Sequence, residues 1–155
     1  MRAGLFLATT VSIALAGAGA IAATQNVLFN ATIAPTCTLT IVSNGTLVAS
    51  PDLQTLSSKL GGGASGSVTL ATTGGVDLSV DPVTVVTAPP ADISATTWTP
   101  TYSAAGTHTV AETGGSTTLN DPGLSTVTVH LVGAKGGSDR FTSGNYQATV
   151  TVRCE

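Results

Sequence analysis

The sequence predicts an all-β sandwich of about seven to nine short strands, and three observations carry that expectation. Residues 145–155 (NYQATVTVRCE) alternate strictly: Tyr146, Ala148, Val150, Val152 and Cys154 share one parity, and Gln147, Thr149, Thr151 and Arg153 the other. Successive side chains leave opposite faces of a pleated strand, so a period of two marks a strand buried on one side. Residues 124–132 repeat the pattern, with Val127, Val129 and Leu131 on the inward parity and Thr126, Thr128 and His130 on the outward one. Between such runs the chain is punctuated every few residues by Gly, Pro and Asn, with almost no helical spacing. No segment recurs at a fixed period, which excludes a solenoid or propeller.

The chain opens with a segment that reads as a leader. Arg2 is followed by an uncharged apolar run from Leu5 to Ala23, closing on Ala20-Ile21-Ala22, the small-x-small pattern of signal-peptide cleavage. Residues 1–22 are therefore expected to be a signal peptide. A retained membrane anchor is the competing reading, because the run nears the roughly 20 residues that span a bilayer. Removing 22 of the 155 residues leaves 133, enough for one domain with a core, and loss of Arg2 takes the formal net charge from −3 to −4. With no basic patch, a nucleic-acid partner is not expected. Only 8% of residues are charged, so the polar surface is built from Thr, Ser, Asn and Gln. Thr suits a surface that resists salt and proteases, and equally suits any sheet.

Residues 23–36 form an N-terminal extension ahead of a domain over 37–155. In it Val27, Phe29, Ala31 and Ile33 alternate with Leu28, Asn30 and Thr32 up to Pro35. Cys37, Leu39 and Ile41 alternate next, and Asn44-Gly45 signals a turn. Leu53, Leu56 and Leu60 lie at helical spacing, so a single helical turn is expected in 52–60, stopped by Gly61-Gly62-Gly63. Strands are expected at 67–71, 76–80 and 83–87, with breaks at Gly74-Gly75, Asp81-Pro82 and Pro89-Pro90. Residues 93–102 read as extended, with Trp98 and Tyr102 as core anchors. Short strands at 107–110 and 117–119 precede the turn Asp121-Pro122-Gly123, and 133–144 reads as a polar loop or hairpin.

Two cysteines in an exported chain predict one disulfide. Cys37 and Cys154 both fall on packed parities, and each is the other's only intramolecular partner. Closing so long a loop is worth about 4–5 kcal/mol on the chain-entropy account. Neither has a nearby His or second Cys that would suit a thiol catalyst or a metal.

The residues offer no chemistry. His130 sits at an outward parity, and His108 lies in a stretch without informative spacing. Patterns of the kind H-x-x-x-H, C-x-x-C or G-x-S-x-G are missing from the sequence. Asp77 and Asp81 share an outward face, but two carboxylates without an Asp-rich, Gly-containing loop read as a charged surface and not as a Ca²⁺ site. Gly61-Gly62-Gly63 lacks the Lys of a phosphate loop, and the sequons at Asn30 and Asn44 matter only in a eukaryotic secretory route. The expectation is a protein that is not an enzyme and calls for no cofactor and no metal.

Three stretches resemble a known family: residues 34–39 (APTCTL) behind the alternating extension, residues 66–70 (GSVTL) after a Gly-rich loop, and residues 143–152 (SGNYQATVTV) as a closing strand. Together they resemble the bacterial pilin-like family of spore coat protein U and the subunits of archaic chaperone–usher pili. That resemblance implies an immunoglobulin-like sandwich lacking its last strand, with an apolar groove beside the C-terminal strand. It implies that a periplasmic chaperone fills the groove first, and that the N-terminal extension of another subunit replaces it at an outer-membrane usher. Val27, Phe29, Ala31 and Ile33 would then be the donor-strand residues, and Tyr146, Val150 and Val152 would border the acceptor groove. The product would be a polymer of this or other pilin-like subunits, passing through the periplasm to the cell surface. Residues 27–33 read equally as the domain's own first strand. The cysteines depart from the family, whose early cysteine commonly pairs near the position of Ala71. The alternative function is a self-contained secreted or periplasmic β-sandwich that binds a glycan or a protein.

Overall fold

In a computed structural model, residues 22–155 are described, so the leader expected over 1–22 lies outside the described residues except for Ala22. The chain divides into two compact units, 1–31 and 32–155. Described residues of the first unit, 22–31, carry no strand and are exposed. The second unit is all-β, and every strand pair in it is antiparallel.

Twelve strands follow in order: β1 (Cys37–Ser43), β2 (Val48–Ala49), β3 (Thr55–Ser57), β4 (Gly66–Thr72), β5 (Val76–Val80), β6 (Val85–Thr87), β7 (Thr96–Gly106), β8 (Val110–Thr113), β9 (Thr117–Leu119), β10 (Gly123–Lys135), β11 (Gln147–Thr149) and β12 (Val152–Cys154). The larger sheet is built on β10. Along one edge β10 pairs with β7; along the other it pairs first with β4 and then with β3, and β1 lies outside β4. A second sheet has the order β12-β5-β9, and β11-β6 forms a separate ribbon. Residues 81–84, which include Pro82 with no N–H to donate, separate β5 from β6 and break the ladder there.

Parity places the core. Val68 and Leu70 of β4, Val127 of β10 and Tyr102 and Ala104 of β7 meet Val76, Leu78 and Val80 of β5 and Leu119 of β9. Tyr102 is fully buried, and its hydroxyl donates to the Leu78 carbonyl at 2.7 Å, joining the two sheets without leaving a polar atom orphaned. Gly74 and Gly75 carry the chain between the sheets with φ of +87° and +70°; a Cβ on Gly74 would lie 2.3 Å from the Asn120 carbonyl oxygen. Among the described residues no helix is long and apolar enough to cross a membrane.

Four expectations shift. Residues 52–60 contain no helical turn: Leu53 takes φ 57°, and the Asp52 carboxylate accepts the Gln54 N–H at 3.1 Å. That local bond competes with a helix, while Thr55–Ser57 gains a ladder on β10. Trp98 is only half-buried, because it lies over Gly133 on the neighbouring strand, where a Cβ would meet its ring at 2.5 Å. The strand expected to end near Val132 runs on to Lys135, and no strand is assigned anywhere in 22–36.

Candidate functional site

The C-terminal alternation appears in full. Tyr146, Ala148, Val150, Val152 and Cys154 are half-buried, and Gln147, Thr149, Thr151 and Arg153 are exposed. β12 pairs only with β5, and β11 only with β6. The Asp77 N–H donates to the Glu155 carbonyl at 2.6 Å, the Glu155 N–H returns to Asp77 at 3.0 Å, and the Asp81 N–H donates to Thr151 at 2.9 Å. Odd-numbered residues therefore form the hydrogen-bonded pairs with β5. In an antiparallel ladder the intervening residues, here Val152 and Cys154, direct their N–H and C=O groups to the opposite edge. Among the described residues that edge is unpaired.

Among the described residues β1 also has a free edge, pairing only with β4. The two free edges face a common cleft of about 1060 Å³. Leu39 and Ile41 of β1 line one side, and residues 144–152 line the other. Buried Leu56, Val68 and Leu131 lie between them. Ile41 sits on the same parity as half-buried Cys37 and Leu39, yet it is 73% exposed. Ile41 therefore adds an exposed apolar side chain to the rim of the cleft.

Each end of the β11–β12 wall is fastened. At one end Cys37 and Cys154 form the expected disulfide, with Cα atoms 6.1 Å apart. Thr72, not a cysteine, pairs opposite Cys37 on β4, and Ala71 pairs with Thr38. At the other end the Tyr146 hydroxyl donates to Asp92 Oδ2 at 2.6 Å and accepts the Thr142 N–H at 3.0 Å. Lys135 Nζ donates to Asp92 Oδ1 at 2.6 Å and to the Ser94 carbonyl at 2.8 Å, 4.8 Å above the Phe141 ring. The Lys135 and Asp92 side chains are 1% and 2% exposed. Burial alone would raise the Asp92 carboxyl, but the hydrogen bonds from Lys135 and Tyr146 and the Lys135 charge together hold it below its ordinary value.

Other candidates are occupied structurally. Asp81 takes a two-pronged bond from Arg153 (3.1 and 2.7 Å), which lowers its carboxyl; Asp77 accepts from the Thr118 hydroxyl at 2.6 Å. His108 is buried, 3.1 Å from the Ser125 hydroxyl and 2.7 Å from the Asp121 carbonyl. His130 is half-buried against the Ser58 hydroxyl at 3.0 Å, and that hydroxyl also accepts the Leu131 N–H. Glu112 is engaged by Lys59 and Thr101, so it does not orient the imidazole. Among the described residues no three His, Cys, Asp or Glu side chains gather as a metal site.

The structure brings Tyr146, Val150 and Val152 together along the cleft. Val27, Phe29 and Ile33 are 72%, 88% and 81% exposed, and Ala31 is exposed. Sequence reasoning missed Ile41, Leu56 and the Lys135–Asp92 pair. Lys135 carried a readable signal, because it continues the inward parity of Val127, Val129, Leu131 and Gly133. Compared with known proteins, the chain matches no protein family, no curated protein and no solved structure.

Proposed function

We propose that this protein is an exported structural subunit of a bacterial surface fibre or coat, assembled by donor-strand exchange. One observation carries the reading: two strand edges unpaired among the described residues, β1 and β11–β12, flank a cleft of about 1060 Å³ into which Leu39, Ile41, Leu56, Val68, Val150 and Val152 face. Such a site is filled by β-augmentation, in which main-chain bonds to the free edge supply affinity and alternate side chains set the register. The donor is residues 24–33, whose Val27, Phe29, Ala31 and Ile33 supply an apolar face of matching period. A periplasmic chaperone occupies the cleft in transit and an usher exchanges it for the next subunit's extension.

The chain's path favours exchange between copies over self-filling. Just ahead of β1, the Ala34 and Thr36 carbonyls accept hydrogen bonds from the Thr73 hydroxyl (3.1 Å) and N–H (3.1 Å). This pins residues 34–36 in line with β1, so a donor entering its own cleft would need a reversal at Pro35. Deleting 24–33 tests the proposal. The purified full chain should form linear polymers by electron microscopy and sedimentation, and the deletion should remain a folded monomer. Equal polymerisation of the two, or a full chain that stays monomeric at high concentration, would remove the reading.

A further inference from the structure

The cleft is closed at one end, and its wall varies in bulk, which together restrict how an extended segment can lie in it. A strand hydrogen-bonded between two others needs walls about 9–10 Å apart, twice the usual strand spacing. At the disulfide the two walls stand 6.1 Å apart between Cα atoms, so no chain passes there. The donor's C-terminal side must leave the cleft to reach its own β1. It therefore leaves at the far end, beside Gly144, and its N-terminus points toward Cys154. The donor runs antiparallel to β11–β12.

Side-chain size then selects the register. Along the wall, Gly144, Tyr146, Ala148 and Val150 run none, large, small, medium. Along the donor, Ile33, Ala31, Phe29 and Val27 run large, small, large, medium. Setting Phe29 over Ala148 places Ala31 against Tyr146, Ile33 against Gly144 and Val27 against Val150. Each bulky group then meets a small one, which is how facing layers interdigitate without voids or overpacking. Shifting by one pair sets Ala31 against Ala148, leaving a void, and crowds Ile33 onto Tyr146. In the favoured register Ala23 falls opposite Cys154, so a chain cleaved after Ala22 begins where the bridge stops it.

Resting on the donor-strand reading, we propose that the cleft accepts a second copy of this chain in one register, with Phe29 seated over Ala148 and the donor's N-terminus halted by the Cys37–Cys154 bridge. Ala148 is the residue that selects the donor. The test uses the full chain carrying Phe29→Asp, which disables its own donor, and synthetic peptides of residues 23–33 followed by fluorescence anisotropy. The native-sequence peptide should bind. Its Ala31→Leu version should bind about tenfold more weakly by crowding Tyr146. Adding Ala148→Leu to the protein should weaken the native-sequence peptide by about tenfold and restore binding to the Phe29→Ala peptide. Tighter binding of the Ala31→Leu peptide overturns the register, because only the shifted alignment puts residue 31 over Ala148, and this comparison needs no change to the cleft. Equal discrimination by Ala148→Leu against both peptides overturns it as well. No binding of the native-sequence peptide overturns the donor-strand reading itself, a separate result.

Discussion

Lys135 and Asp92 are the most consequential single residues outside the core, since a charged pair this deeply buried is stable only as a pair. Removing water from two ions is expensive, and their attraction repays it only with good geometry and further hydrogen bonds. Both conditions hold, because Tyr146, Ser94 and the Phe141 ring complete the set. Lys135→Met leaves the Asp92 carboxylate buried without its cation, and urea denaturation should record a loss of about 3–5 kcal/mol. Asp92→Leu added to Lys135→Met should recover part of that loss. The acid limb follows from the same pair. Asp92's carboxyl is depressed on folding, so its contribution is complete above the unfolded carboxylate value of about 4 and is lost as the pH falls through the lower folded value. The urea midpoint should drop below about pH 4, and Asp92→Asn, weaker throughout, should show a shallower drop. The sequence hid this pair because its partner, Asp92, lies in an irregular loop with no period to read. Lys135 was legible by parity, but residues 133–144 read as a polar loop or hairpin, so the strand was expected to end before it.

Among the elements, those long enough to show a period of two were legible and those of two or three residues without such a pattern were not. Residues 146–154 and 124–131 alternate because one side meets the core and the other meets water, and that contrast was legible, although the single closing strand expected is two, β11 and β12, broken at Val150 and Thr151, and β10 runs past its expected end to Lys135. β3 is three residues long and exists because β10 offers it an edge. Its leucines happen to fall at helical spacing, and no local signal reveals the ladder. Residues 27–33 have the alternation of a strand without a strand's partner, which explains why the pattern fitted both a donor and a first strand. β12 shows what a single edge implies for stability. Three residues paired only with β5 are held in place chiefly by the disulfide at Cys154. Replacing both cysteines by serine should lower stability by about 4–5 kcal/mol if the loop-entropy account holds. Amide exchange should rise first at Arg153 and Glu155, whose N–H groups face β5, ahead of β10, whose two edges are both paired. Uniform acceleration across all strands would show that the bridge supports the whole sandwich and not this wall.

For the whole molecule, the proposed donor strand and the proposed acceptor cleft are different surfaces, so strand exchange between copies would be a head-to-tail contact. Such heterologous contacts grow open filaments unless the rotation between subunits closes a ring. Two single substitutions then make two distinct terminators. Phe29→Asp keeps the cleft but carries a donor that would bury an unpaired carboxylate, which is costly in an apolar site. Val150→Arg keeps the donor but fills the cleft with a charge. Alone, each should remain a monomer. Mixed in equal amounts, they should form one dimer and stop, because the intact donor of Val150→Arg can enter the intact cleft of Phe29→Asp and nothing further can add. Either variant titrated into the unmodified chain should shorten filaments in proportion to its mole fraction, measured by sedimentation and electron microscopy. A symmetric contact using one patch twice gives a different outcome: a variant defective in that patch would not be rescued by the other, and the mixture would stay monomeric. The mixing experiment therefore separates strand exchange from ordinary two-fold association using this chain alone.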